Sequence, residues 1–134
     1  AISTDVIVGF PGENEELFQK TIKTCKEIGF SKIHVFPFSE RKGTKAANLD
    51  NKIDNKTKKN YAKRLIELSK ELEIEYMKKF INKELDVLIE ENKDNCSYGH
   101  TSNYLHVKIN KQLQNNEIIK IKIEKIDYPY VIGK

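Results

Sequence analysis

The chain has 134 residues, 38% of them hydrophobic and 33% charged, with a formal net charge of +4. This composition fits a globular, thinly cored protein of one domain or two small ones, and its mixed charge argues against a disordered tail. No run of eighteen apolar residues and no secretory pattern occur, so a transmembrane span is excluded and a cytoplasmic protein without a membrane partner is expected.

Near the start, Val6-Ile7-Val8 is an unbroken β-branched run, the pattern of a parallel strand covered on both faces. Gly9 and Gly12 permit a sharp turn, and Pro11 stops the strand. Asn14 is placed to cap a helix whose first turn holds Glu15 and Glu16. A glycine turn between a parallel strand and a helix N-terminus is where α/β proteins place ligands, although a tight βα turn without a ligand has the same pattern. No Lys-Ser/Thr pair follows, so the turn is not a P-loop.

Leu17, Phe18, Thr21, Ile22, Cys25 and Ile28 recur at helical spacing, and Gly29 sits at the C-cap position. Residues 32–38 then read as a second strand, completing a βαβ unit of about 35 residues. His34 within it reads as a packed, hydrogen-bonded side chain. Two parallel strands can neither bury both faces nor close a barrel, so the unit calls for more sheet. The chain also lacks a starting Met, and it is expected to be a piece of a longer protein.

Residues 48–57 read as a polar loop, with Thr57 as the cap of the next helix. Tyr61, Leu65, Leu68, Leu72, Tyr76 and Phe80 define an amphipathic helix of roughly 23 residues. Its opposite face carries Lys58, Lys59, Lys63, Arg64, Lys70, Lys78 and Lys79 and reads as a solvated face. From Lys83 onward alternation replaces helical spacing. Leu85, Val87 and Ile89 mark one strand, Leu105, Val107 and Ile109 another, and residues 118–126 a third, with a fourth over 128–132. Between the first two stands a polar aromatic loop, Tyr98-Gly99-His100-Thr101-Ser102-Asn103-Tyr104. Short antiparallel strands after a helix suggest a small β-barrel. Three segments follow: 1–57 as an α/β piece, 58–81 as a connecting helix, and 82–134 as the barrel.

Cys25 and Cys96 lack metal-ligand spacing, and His100 and His106 have no thiol or acidic partner at such spacing, so no metal site is expected. Charge is uneven: 0 over residues 1–50, +4 over 51–80, −3 over 81–104 and +3 over 105–134. Aromatic side chains beside lysines are what single-stranded RNA uses, although a charged outer barrel face would look similar.

Three stretches resemble one family. Asp5-Val6-Ile7-Val8-Gly9-Phe10-Pro11-Gly12-Glu13 is similar to the late barrel strand that lines the S-adenosylmethionine pocket of radical-SAM enzymes. Phe36-Pro37-Phe38-Ser39-Glu40-Arg41-Lys42-Gly43-Thr44-Lys45-Ala46-Ala47 resembles the following segment of the radical-SAM methylthiotransferases, with Phe38 where Tyr is usual. Residues 98–104 resemble the loop of the TRAM domain, a small RNA-binding barrel, with His100 in place of a Tyr. His34 before Phe36-Pro37 is similar to the branch acting on threonylcarbamoyladenosine beside the anticodon of tRNA.

The resemblance implies an α/β fragment, a βαβ unit from a partial TIM-like barrel with a long helix, followed by an OB-like antiparallel TRAM barrel. It implies a transferase that methylthiolates tRNA using S-adenosylmethionine and two 4Fe-4S clusters. Ile7, Gly9, Pro11, Phe38, Ser39 and Arg41 would line the cofactor pocket. Tyr98, His100, Asn103, Tyr104, Lys108, Lys120 and Lys122 would contact tRNA. The family's two cysteine triplets are not in this sequence, and clusters need thiolates. The chain alone is therefore expected to be inactive, to hold none of these groups by itself, and to depend on the remainder of the enzyme. Its exposed strand edges make self-association an expectation. A stand-alone RNA-binding barrel and a helical adaptor remain open alternatives.

Overall fold

The computed structural model describes residues 1–134 and divides them into two compact units, Ile2–Glu73 and Ile74–Lys134, with Ala1 grouped with the latter.

The first unit holds β1 (Ser3–Val8), α1 (Glu15–Ile28), β2 (Lys32–Pro37), a 3-10 turn (Ala46–Asn48) and most of α2 (Asn55–Lys78). β1 and β2 pair in parallel, with Asp5 opposite His34 and Ile7 opposite Phe36. Helix α1 forms where its caps dictate. Asn14 Oδ1 accepts from the Leu17 amide at 2.9 Å, and Gly29, left-handed at φ 71°, donates its N–H to the Cys25 carbonyl. Helix α2 starts a little earlier than the sequence suggests. Asp54, not Thr57, is its cap, since Asp54 Oδ1 accepts from the Thr57 amide at 2.7 Å. An acceptor side chain one residue before the helix satisfies a first-turn donor, whereas Thr57 already lies inside that turn.

The core of this unit joins Val8 and Ile33 to Phe18, Cys25, Tyr61, Ala62, Leu65 and Leu68. Phe18 and Tyr61 stack with centroids 4.3 Å apart. Ser69 ties α2 to β2, accepting from the Ile33 amide at 3.0 Å and donating to its carbonyl at 3.2 Å. The charged side of α2 is less solvated than its periodicity implies. Arg64 makes a bidentate pair with Glu15, at 2.9 and 2.7 Å, and its guanidinium lies 4.7 Å from the Phe18 ring centre. That pairing holds the Glu15 carboxyl at a pKa of about 2.

The strand pair is covered on one face only, which corrects the expectation for Val6–Val8. Val8 is fully buried, yet Ile7 is 56% exposed and Phe36 51% exposed. Helices α1 and α2 supply a single layer, and successive side chains of a strand point to opposite faces. His34 stands on that bare face and is exposed rather than packed.

The second unit contains the last turn of α2 and five strands: β3 (Glu84–Lys93), β4 (Cys96–Thr101), β5 (His106–Ile109), β6 (Ile118–Asp127) and β7 (Tyr130–Gly133). They pair in the order β3-β4-β5-β7-β6, and β6 returns to β3, so the sheet closes on itself. The sheet is mixed rather than antiparallel throughout, because β5 and β7 run parallel. Val87, Ile89, Leu105, Val107, Ile109, Ile121, Ile123 and Val131 fill the interior, with Met77 from the end of α2. Tyr76 of the same helical turn donates its hydroxyl to the Asn103 carbonyl at 3.0 Å.

The stretch expected to be a loop, Tyr98–Tyr104, is largely strand. β4 runs from Cys96 to Thr101, and only Ser102–Tyr104 turn. Its inward residues are Ser97, Gly99 and Thr101, all buried, so it lacks the apolar alternation that marks the other strands. A Cβ on Gly99 would strike the Leu88 carbonyl of β3. Ser97 is satisfied inside, donating to Asn92 Oδ1 at 2.6 Å and accepting from the Leu113 amide at 2.8 Å.

Candidate functional site

In the first unit the residues singled out for a cofactor gather around the ends of β1 and β2. Gly9, at φ 75°, turns the chain, and its N–H donates to Glu13 Oε1 at 2.6 Å. Gly12, at φ 90°, donates its N–H to the Asn51 carbonyl at 2.9 Å. The Phe38 amide donates to the Val8 carbonyl at 2.7 Å, which brings the Phe38 ring edge-on to Phe10 with centroids 5.2 Å apart. The stem of Lys58 packs against Gly9 where a Cβ would collide, and its ammonium lies 5.4 Å from the centre of the Phe38 ring. Lys58 is a member of this cluster that its place on a charged helical face did not reveal.

Ile7 lies on the bare face beside Phe36, and Pro11 is half-buried in the turn. Ser39 and Arg41 follow on an exposed loop, where Thr44 Oγ1 donates to the Arg41 carbonyl at 2.7 Å. The arrangement is an apolar shelf of Ile7 and Phe36 next to a glycine turn and two aromatic rings. Such a shelf suits a flat apolar group.

In the second unit a cluster of rings occupies the outside of β4, β5 and β7. His100 lies opposite His106, and Tyr98 opposite Lys108. The two imidazoles stack, with centroids 4.3 Å apart and planes 15° apart. Tyr130 of β7 meets His106 at 4.5 Å and Tyr98 at 5.3 Å. All four rings are half-exposed. His100 Nδ1 lies 2.6 Å from Glu90 Oε2, a contact that fixes the imidazole. Burial, followed by the neighbouring His100, pushes the pKa of His106 below its ordinary value, while Glu90 and Glu91 pull the other way.

Of the residues expected to contact RNA, Tyr98, His100 and Lys108 fall together on this face. Asn103 and Tyr104 form the turn before β5, where Tyr104 is 81% exposed at φ 65°. Lys120 and Lys122 lie on β6, which does not pair with β5, and face Asp86 and Glu84 of β3. Lys120 reaches Asp86 at 3.1 Å. Neither Tyr130 nor His106 is among the residues that the sequence led us to expect against RNA. The parallel pairing of β5 with β7 joins them, and no local pattern announces it.

No protein-family model matches the chain. Known proteins do. The whole chain aligns at 41% identity with the threonylcarbamoyladenosine tRNA methylthiotransferase MtaB of Bacillus subtilis. It aligns, again over its full length, at 32% identity with the MtaB of Chlamydia pneumoniae. The chain belongs to the tRNA methylthiotransferase family. Within that family it is also 39% identical, over 93% of its length, to the tRNA-2-methylthio-N(6)-dimethylallyladenosine synthase of Aquifex aeolicus. The chain spans about a third of the length of these methylthiotransferases, 31% of the Bacillus protein and 32% of the Chlamydia protein.

Proposed function

We propose that this chain is the C-terminal portion of a radical-SAM methylthiotransferase acting on threonylcarbamoyladenosine beside the anticodon of tRNA. The observation that carries the reading is full-length homology to two methylthiotransferases named for that nucleoside. In this reading the first unit is the end of a TIM-like barrel whose bare strand face turns toward the missing strands. The second unit is a TRAM-type, OB-like barrel that holds tRNA. Support for the barrel assignment comes from its five strands in a closed order, because the OB fold is a five-stranded barrel, and such barrels bind oligonucleotides on their second and third strands. Those strands here are β4 and β5, which carry Tyr98, His100 and Lys108.

The residues at the ends of β1 and β2 fit one wall of an S-adenosylmethionine pocket. Ile7 and Phe36 offer an apolar surface, and Gly9 lets the backbone come close. When bound, S-adenosylmethionine supplies the methyl group and the radical precursor. Ile7, Gly9, Pro11 and Phe38 would seat it, with Ser39 and Arg41 on the neighbouring loop. The two cysteines do not fit an iron-sulfur cluster. Cys25 is buried in the core of the first unit, where burial raises its thiol pKa, and Cys96 belongs to the second unit. Three thiolates at one locus are what a radical-SAM cluster needs, so its chemistry falls to the remainder of the enzyme. The bare face and free edges of β1 and β2 then pair with that remainder, or with a second copy when the chain is alone.

Nuclease footprinting of tRNA with this chain tests the reading. Protection confined to single-stranded loops of the tRNA is expected. Cleavage unchanged at saturating protein would contradict it.

A further inference from the structure

We infer that the outer face of β4, β5 and β7 is a base-stacking site for single-stranded RNA, with His106 and Tyr130 as principal contacts beside Tyr98 and His100. The inference rests on the RNA-binding reading above and names the atoms that would do the work.

The geometry is unusual for a solvated strand surface. Outward positions on β6, after an exposed Ile118 at its start, are Lys120, Lys122 and Glu124, side chains that water favours. On β4, β5 and β7 four outward positions are rings, beside Cys96 and Lys108, and each ring touches at least one other: His100 on His106, His106 on Tyr130, and Tyr130 on Tyr98. The interior does not need them, because Ser97, Gly99, Thr101, Val107 and Val131 fill the inward positions of the same strands. Four half-exposed rings, with the two imidazoles stacked, Tyr130 edge-on to His106 and Tyr98 tilted against Tyr130, therefore form one continuous aromatic surface facing solvent.

Charge points to stacking rather than to phosphate attraction. Residues 74–134 carry ten lysines against nine acidic side chains, so this unit has little net positive field with which to gather a polyanion. Affinity for RNA must then come largely from ring faces, which every base can use regardless of sequence. Lys108, opposite Tyr98, supplies a cation at the edge of the ring surface for a neighbouring phosphate. The Glu90 contact orients His100, and His106 stacks parallel upon it. Base faces are hidden inside a duplex and open in a single strand. The site should therefore prefer unpaired RNA.

The test is a fluorescence anisotropy titration of this chain with two labelled probes, an oligoadenylate of about eight nucleotides and a blunt RNA duplex of the same length. The single strand should bind more tightly than the duplex. His106→Ala and Tyr130→Ala should each weaken single-strand binding by about 5- to 150-fold, the range expected for loss of one stacked base. Tyr130→Phe and His106→Phe keep a ring and should retain most of the affinity, with circular dichroism melts showing that all four variants are folded. Unchanged single-strand affinity in both alanine variants would overturn this assignment and leave the RNA-binding reading standing. So would equal affinity for the two probes, or a phenylalanine variant as weak as its alanine counterpart. Failure of the wild type to bind either probe would overturn both.

Discussion

His106 illustrates what a single position gains from its neighbours. On β5 it receives a stacked imidazole from β4 and a phenol edge from β7, and burial is the main cause that lowers its pKa. A histidine whose folded pKa is depressed is protonated first in the unfolded chain. It contributes stability above its ordinary value of 6.5, and that contribution is lost as pH falls below 6.5 toward the folded value. Urea midpoints of the wild type should therefore drop between about pH 7.5 and 5.5, and His106→Phe should flatten that drop. An equal drop in both proteins would show that His106 does not carry it. Other residues were legible from the sequence because their chemistry is local. Asn14 and Gly29 cap α1 as their types and spacing require, since a cap involves only the adjacent turn. The meeting of His106 with Tyr130 was not legible, because it depends on which distant strand lies next to β5.

At the scale of elements the same division holds. β1, α1, β2, α2, β3, β5, β6 and β7 follow from runs, helical spacing or alternation, each imposed by a face that must be buried. β4 escaped because its inward side chains are a serine, a glycine and a threonine, chosen for closeness to β3 rather than for apolar area. That account makes Gly99 a packing residue. Gly99→Ala should cost about 1–3 kcal/mol, the usual penalty for overpacking, as read from urea denaturation of the whole chain. A neutral Gly99→Ala would mean that β3 and β4 can separate freely and that the closeness has no energetic role. The strand pair β1–β2 shows the reverse case. Its unbroken apolar run suggested cover on both faces, and the chain supplies cover on one, leaving Ile7 and Phe36 exposed. No layer among these residues covers that face.

For the molecule as a whole, homology and charge bear on the same question. The chain matches tRNA methylthiotransferases along its length while spanning about a third of theirs, and its positive charge is concentrated in residues 51–80 rather than in the five-stranded unit. Binding to tRNA by this chain should accordingly be weak and only moderately salt-dependent, with few phosphates neutralised. The central claim, that β4 and β5 of this chain hold tRNA, is tested most directly by titrating labelled tRNA across a series of salt concentrations. Saturable binding is predicted at low salt. Lys108→Ala should weaken binding to all tRNAs alike and reduce the log–log salt slope by about one contact. Lys120→Ala should do less, because that ammonium already lies against Asp86. No saturable binding at low salt, or a Lys108→Ala variant with wild-type affinity and slope, would contradict the account.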